Sequence, residues 1–141
     1  MLVSQRLRRS VVERARERCE YCGLAQSSQE ATFHLDHVIP VAAGGPTALD
    51  NLALACVSCS LRKGARQRAI DPADGSAADL FNPRRHVWGR HFSWNGIEMI
   101  GHTPTGRCTI AALQLNRPAA QAIRLEEQLR GRHPPPDPEA P

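Results

Sequence analysis

Aromatic side chains are scarce in this chain: three phenylalanines, two tryptophans and one tyrosine among 141 residues. Without those large fillers the core is thin, and a chain this short needs another staple, such as a bound metal. Lysine is nearly absent too; Lys63 is the only one, and arginine carries the rest of the basic charge. No run approaches the ~20 apolar residues of a membrane-spanning helix, so no membrane partner is expected. The N-terminal stretch MLVSQRLRRSVVERARER is charged and has no apolar segment of the kind a secretory leader carries. The expectation is a cytoplasmic location. In that reducing setting five cysteines point to metal or redox chemistry more than to disulfides.

Charge is unevenly spread. Residues 1–70 hold 10 Lys+Arg against 6 Asp+Glu, whereas residues 71–141 hold 8 of each. The basic excess belongs to the first half and favours a polyanionic partner without proving one.

Helical spacing of Leu7, Val11, Val12 and Ala15 predicts a helix over 4–18, with Ser4 or Ser10 as its cap. Thr32 to Ile39 reads as a strand ended by Pro40, and the Ala43-Gly44-Gly45-Pro46 stretch reads as a flexible turn. Leu52–Ala55 suits a short strand or a helical turn, and Ser60–Ala69 a basic helix. Residues 71–80 read as a linker separating a core, 1–70, from an extension, 81–133. Within that extension Val87–Ile100 predicts a β-hairpin turning at Asn95-Gly96, and 107–116 and 118–130 predict helices. The proline-rich tail 134–141 is expected to be disordered.

Cys19/Cys22 and Cys56/Cys59 form two C-x-x-C pairs. Four thiolates at tetrahedral geometry select zinc or iron and leave no open position, which makes such a site structural. Two unrelated pairs of buried or redox thiols are the alternative. Cys108 has no partner pattern and is expected to be a small buried residue.

Asp36-His37 lies at the end of the apolar strand. Phosphodiester hydrolysis needs an activated water, and histidine suits that task because its unperturbed pKa is about 6.5. A carboxylate suits Mg²⁺, which prefers oxygen ligands. Adjacent strand residues point to opposite faces, so both serve one site only if the backbone bends. His34 shares the Asp36 face. Arg62, Lys63, Arg66 and Arg68 follow the second cysteine pair, where phosphate contact competes with a solvated helix face; contact is favoured for Lys63. Trp88, Phe92 and Trp94 read as core fillers. His86, His91 and His102 have no ligand spacing.

The stretch CEYCG…FHLDHVIPVAAGGPTALDNLALACVSCSLRKG, residues 19–64, resembles the zinc-knuckle HNH endonucleases. Residues 81–133 are more loosely similar to the C-terminal extension of a bacterial subgroup of that family. The resemblance implies an α+β fold: a ββα-metal core with a four-cysteine zinc site, an N-terminal helix, and a C-terminal hairpin plus helices. It implies His37 as general base, Asp36 as ligand of a catalytic Mg²⁺ or Mn²⁺, and Asn51 as the residue that orders the loop. The third signature position, usually His or Asn, is Ser60 here, a shorter and weaker ligand. Substrate contacts fall to Lys63, Arg62 and His34. The implied activity is metal-dependent hydrolysis of DNA, double-stranded by expectation, leaving 5′-phosphate and 3′-hydroxyl ends, with no small-molecule substrate. Because of Ser60, a weak or inactive zinc-dependent DNA-binding module is the rival reading.

Overall fold

The computed structural model describes residues 3–139. The chain folds as a mixed α+β structure, and its strands pair into three two-stranded antiparallel sheets among the described residues.

The first helix, α1 (Gln5–Arg14), starts at Ser4, whose hydroxyl accepts the Leu7 N–H at 3.1 Å. Such a cap contributes about 1 kcal/mol. Val11 is fully buried against the core, with Leu7, Val12 and Ala15 beside it. The helix stops four residues before the expected end. Arg16 and Glu17 take positive φ, which turns the chain into the first cysteine pair.

Strand β1 (His34–His37) pairs with β2 (Leu52–Ala55), with Asp36 opposite Ala53 and His37 opposite Leu52. All four β2 residues are buried, as expected for small apolar side chains covered on both faces. Thr32, Phe33, Val38 and Ile39 lie outside the strand, because the chain at Val38–Ile39 bonds to Asn51 instead of extending the ladder. The loop between the strands has a close backbone approach: a Cβ on Gly45 would stand 1.7 Å from the Ile39 carbonyl oxygen. Only glycine fits there.

Helix α2 (Val57–Lys63) follows β2 directly and packs on both strands. It is shorter than expected: Gly64 ends it at φ 53°, and Arg68–Ile70 form a strand, β3. That strand pairs with β4 (Ala77–Asp79), so the stretch expected as a linker contains a turn and a strand. Asp71 in that turn is buried and forms a 2.8 Å ion pair with Arg107.

In the extension, a short helix α3 (Trp88–His91) precedes β5 (Phe92–Asn95) and β6 (Glu98–Gly101). Asn95 pairs with Glu98, so the two loop residues are Gly96-Ile97, one position beyond the expected turn. Helices α4 (Pro104–Leu113) and α5 (Pro118–Leu129) both open on proline, whose missing N–H costs nothing at that position. Helix α4 packs against α2, β4 and β6. Cys108 is fully buried there. Phe92 is buried and the two tryptophans are half-buried. Of the tail, residues 134–139 pack against the fold: Pro134 to Glu139 line an 830 Å³ cavity with Trp88 and Trp94, and Glu139 accepts the Trp88 N–H. A proline-rich segment loses little conformational entropy on docking, and the half-buried indoles give it a surface. Residues 140 and 141 lie outside the described residues. No helix among the described residues is long and apolar enough to cross a membrane.

Candidate functional site

The four cysteines converge. The Sγ atoms of Cys19, Cys22, Cys56 and Cys59 lie within 4.8 Å of one another, and all four residues are buried. The first pair sits in the turn after α1. The second straddles the start of α2, where Cys56 is the N-cap and its sulfur accepts the Cys59 N–H. Buried, hydrogen-bonded thiols in such proximity divide their protons unequally. Burial pushes Cys19 well up, while hydrogen bonding, from Cys19 first, holds Cys56 far down. A closed set of sulfurs able to hold a metal ion is the plain outcome.

Two arginines of the extension address this cluster. Arg117 directs its guanidinium at three sulfurs, 3.5 Å from Cys56, 3.8 Å from Cys59 and 4.0 Å from Cys22. Burial works against its charge, but the Cys22, Cys59 and Cys56 sulfurs outweigh that and raise its pKa. Arg124 is 1% exposed and donates to the Cys22 carbonyl at 3.0 Å and the Leu115 carbonyl at 2.7 Å. Neither arginine carried any signal in the sequence, because both lie far from the cysteines along the chain.

Asp36 and His37 obey regular strand alternation. The Asp36 carboxylate turns toward α2 and is 7% exposed. Tyr21 donates its hydroxyl to it at 2.7 Å, and the Lys63 ammonium stands 3.2 Å from the same oxygen and 3.4 Å from the other. Lys63 is 2% exposed and also donates to the His37 carbonyl at 3.1 Å. Burial raises the Asp36 pKa, and Lys63 and Tyr21 oppose that rise. His34, on the same strand face, bonds through Nδ1 to the Ser60 hydroxyl at 3.0 Å. Two strand residues therefore meet two residues one helical turn apart on α2.

His37 faces the other way. Its Nε2 lies 2.8 Å from the Thr47 hydroxyl, while Nδ1 has no protein partner among the described residues. Asn51 closes the loop between them: its carboxamide accepts the Ile39 N–H at 2.9 Å and donates to the Ile39 and Pro46 carbonyls at 3.0 and 2.8 Å. The side chain is buried and bridges Ile39 to Pro46, across the loop that leads to Thr47. Arg62 is exposed and bonds Ser58 on its own helix.

The expected residues are thus brought to one region but not to one centre. Asp36 is engaged with Lys63 and Tyr21, Ser60 with His34, and His37 with Thr47. Lys63 is a buried partner of Asp36 instead of a solvent-facing phosphate contact. Tyr21 and Thr47 were not foreseen. Tyr21 had a faint signal, as the one tyrosine of the chain, lying inside the first C-x-x-C. Thr47 had none.

No curated protein and no solved structure gives a significant match to the chain. Residues 19–66, which carry both cysteine pairs, the Asp36-His37 pair, Asn51 and the whole of α2, match the family model described as HNH endonuclease.

Proposed function

We propose that this protein is an HNH-type endonuclease that hydrolyses phosphodiester bonds of DNA, double-stranded in the first instance, in the cytoplasm. The observation that carries this reading is His37. Its ring is only partly buried, and the Thr47 hydroxyl oxygen is placed to accept a hydrogen bond from Nε2–H. That tautomer puts the free lone pair on Nδ1, as a general base needs. The base removes a proton from water, the water oxygen bonds to phosphorus, and the P–O3′ bond breaks, the leaving O3′ oxygen taking a proton from solvent water. The products are a 5′-phosphate and a 3′-hydroxyl. Asn51 keeps Thr47, and through it the imidazole, in place.

Cys19, Cys22, Cys56 and Cys59 would hold zinc, which fits an all-sulfur closed set and supplies folding energy instead of chemistry. The oxygens expected to hold a catalytic Mg²⁺ or Mn²⁺ fit less well. Asp36 is buried, and an ammonium neutralises its carboxylate, while the Ser60 hydroxyl is bonded to His34. As arranged, Asp36 and Ser60 do not form a cation site. The same ion pair favours a second reading, a zinc-dependent DNA-binding module that cuts weakly or not at all.

Nicking of supercoiled plasmid separates the two. Wild-type protein, with its four-cysteine site left loaded, is assayed with Mg²⁺, with Mn²⁺ and without added divalent cation, beside His37→Ala. Cleavage should fall by about 10²- to 10⁴-fold in the variant, with DNA affinity retained because a base acts in the transition state. Wild-type protein that binds DNA and never nicks it would establish the binding module instead.

A further inference from the structure

A second pocket, of about 200 Å³, borders Val38 and Ile39, which follow His37 in the chain. Its walls come from both halves of the chain: Lys63, Arg66 and Gln67 from the core side, and Asn82, Arg85 and His86 from the segment before α3. We propose that Arg85, with Asn82, His86 and Arg66, forms a subsite for a backbone phosphate of the nucleic acid. The inference rests on the reading of nucleic acid as substrate and gives the C-terminal extension a part in holding it.

The lining is rich in donors. The Asn82 carboxamide oxygen accepts the N–H groups of Arg84 and Arg85 at 2.9 and 3.2 Å, which leaves its NH₂ group to donate. The His86 Nδ1 accepts the Asn82 N–H at 2.9 Å, which fixes the neutral ring with its proton on Nε2. Arg66 donates to the Arg62 and Ala112 carbonyls, contacts that leave its charge uncompensated. Arg85 is exposed, and its guanidinium has no partner among the described residues. The one acid on the wall, Asp79, is exposed and pairs with Arg68 at 3.3 Å, while the Lys63 ammonium is engaged by Asp36. A pocket with spare positive charge and spare N–H donors takes an oxyanion, and a planar guanidinium suits phosphate in particular. Its position beside the strand that carries His37 matches a contact that sets the register of a nucleic acid backbone.

The test is the salt dependence of binding to a labelled DNA duplex, followed by fluorescence anisotropy. Each phosphate neutralised contributes about −0.9 to the slope of log K against log salt. Arg85→Ala should make the slope shallower by about one such increment and weaken binding several-fold at moderate salt. Arg85→Lys should keep most of the wild-type slope, and Arg130→Ala, which removes the same charge from the exposed end of α5, should change it little. Because Arg85 is exposed, far-ultraviolet circular dichroism should match wild type. If wild type binds and Arg85→Ala keeps its slope, or loses no more than Arg130→Ala, the subsite is wrong and the nuclease reading stands. If wild-type protein binds no DNA, both are wrong.

Discussion

Lys63 is the residue on which the chemistry of this site turns. It is the sole lysine, it is buried, and it lies 3.2 Å from a carboxylate that an HNH pattern assigns to a metal. An ammonium there neutralises Asp36 without a metal ion. Breaking a buried pair by removing one partner leaves the other charge uncompensated, at a cost of about 3–5 kcal/mol. Lys63→Ala should therefore lower the thermal midpoint by several degrees or more. It should also create a cation site: millimolar Mg²⁺ should raise the midpoint of Lys63→Ala and leave that of wild type unchanged. The double variant Lys63→Ala/Asp36→Asn should lose that response. Differential scanning fluorimetry with and without Mg²⁺ reads all three outcomes. A wild-type midpoint that rises as much as the variant's would show that Mg²⁺ reaches Asp36 past the lysine.

Among the elements, helix α5 and the β3–β4 hairpin tie the extension to the rest. Arg117, the residue before α5, faces three of the four sulfurs, and a tetrathiolate metal site carries excess negative charge. Arg117→Met keeps bulk and removes the balancing charge. Zinc should then be lost to a competing chelator at least several-fold faster, as measured by the colour of the chelator–zinc complex. The hairpin is held through Asp71 and Arg107. Hydrogen bonds from Arg107 hold the Asp71 carboxyl below its ordinary pKa. A carboxyl depressed in the folded state stabilises the fold above its unfolded pKa of about 3.9, and that stabilisation is lost as pH falls below it. Asp71→Asn should make the protein less stable near neutral pH and flatten the decline of stability below pH ~4. Urea midpoints measured across that range give the comparison.

For the whole molecule the decisive quantity is the metal. With so few aromatics, the four buried cysteines are themselves part of the core, together with Tyr21, Leu24 and Leu54. One zinc per chain is expected by elemental analysis of protein purified without chelator. Cys19→Ser, or zinc removal by a strong chelator at neutral pH, should abolish the cooperative thermal transition, because binding energy here is folding energy. A chelated, zinc-free chain that still melts cooperatively at the native temperature would rule out that role.

Much of this organisation was legible in the chain. The C-x-x-C spacings announced a four-sulfur cluster because ligand chemistry is local: two residues between cysteines set two sulfurs side by side. Strand alternation set Asp36 and His37 on opposite faces unless the backbone bent, and Ser4 and Pro118 marked their helix starts, since caps and first-turn prolines act within one turn. What the tertiary structure decided was every pairing across distance. Arg68–Ile70 became a strand instead of more helix because Ala77–Asp79 was there to receive it, and a ladder partner outweighs helix propensity. The tail packed because the tryptophans offered it a surface. Lys63 found Asp36 at a separation of 27 positions, and Arg117 found the sulfurs at separations of 58 to 95. Such contacts depend on which faces of packed elements meet. Periodicity and spacing record the order of residues along one element and hold no information about the neighbour that element will face.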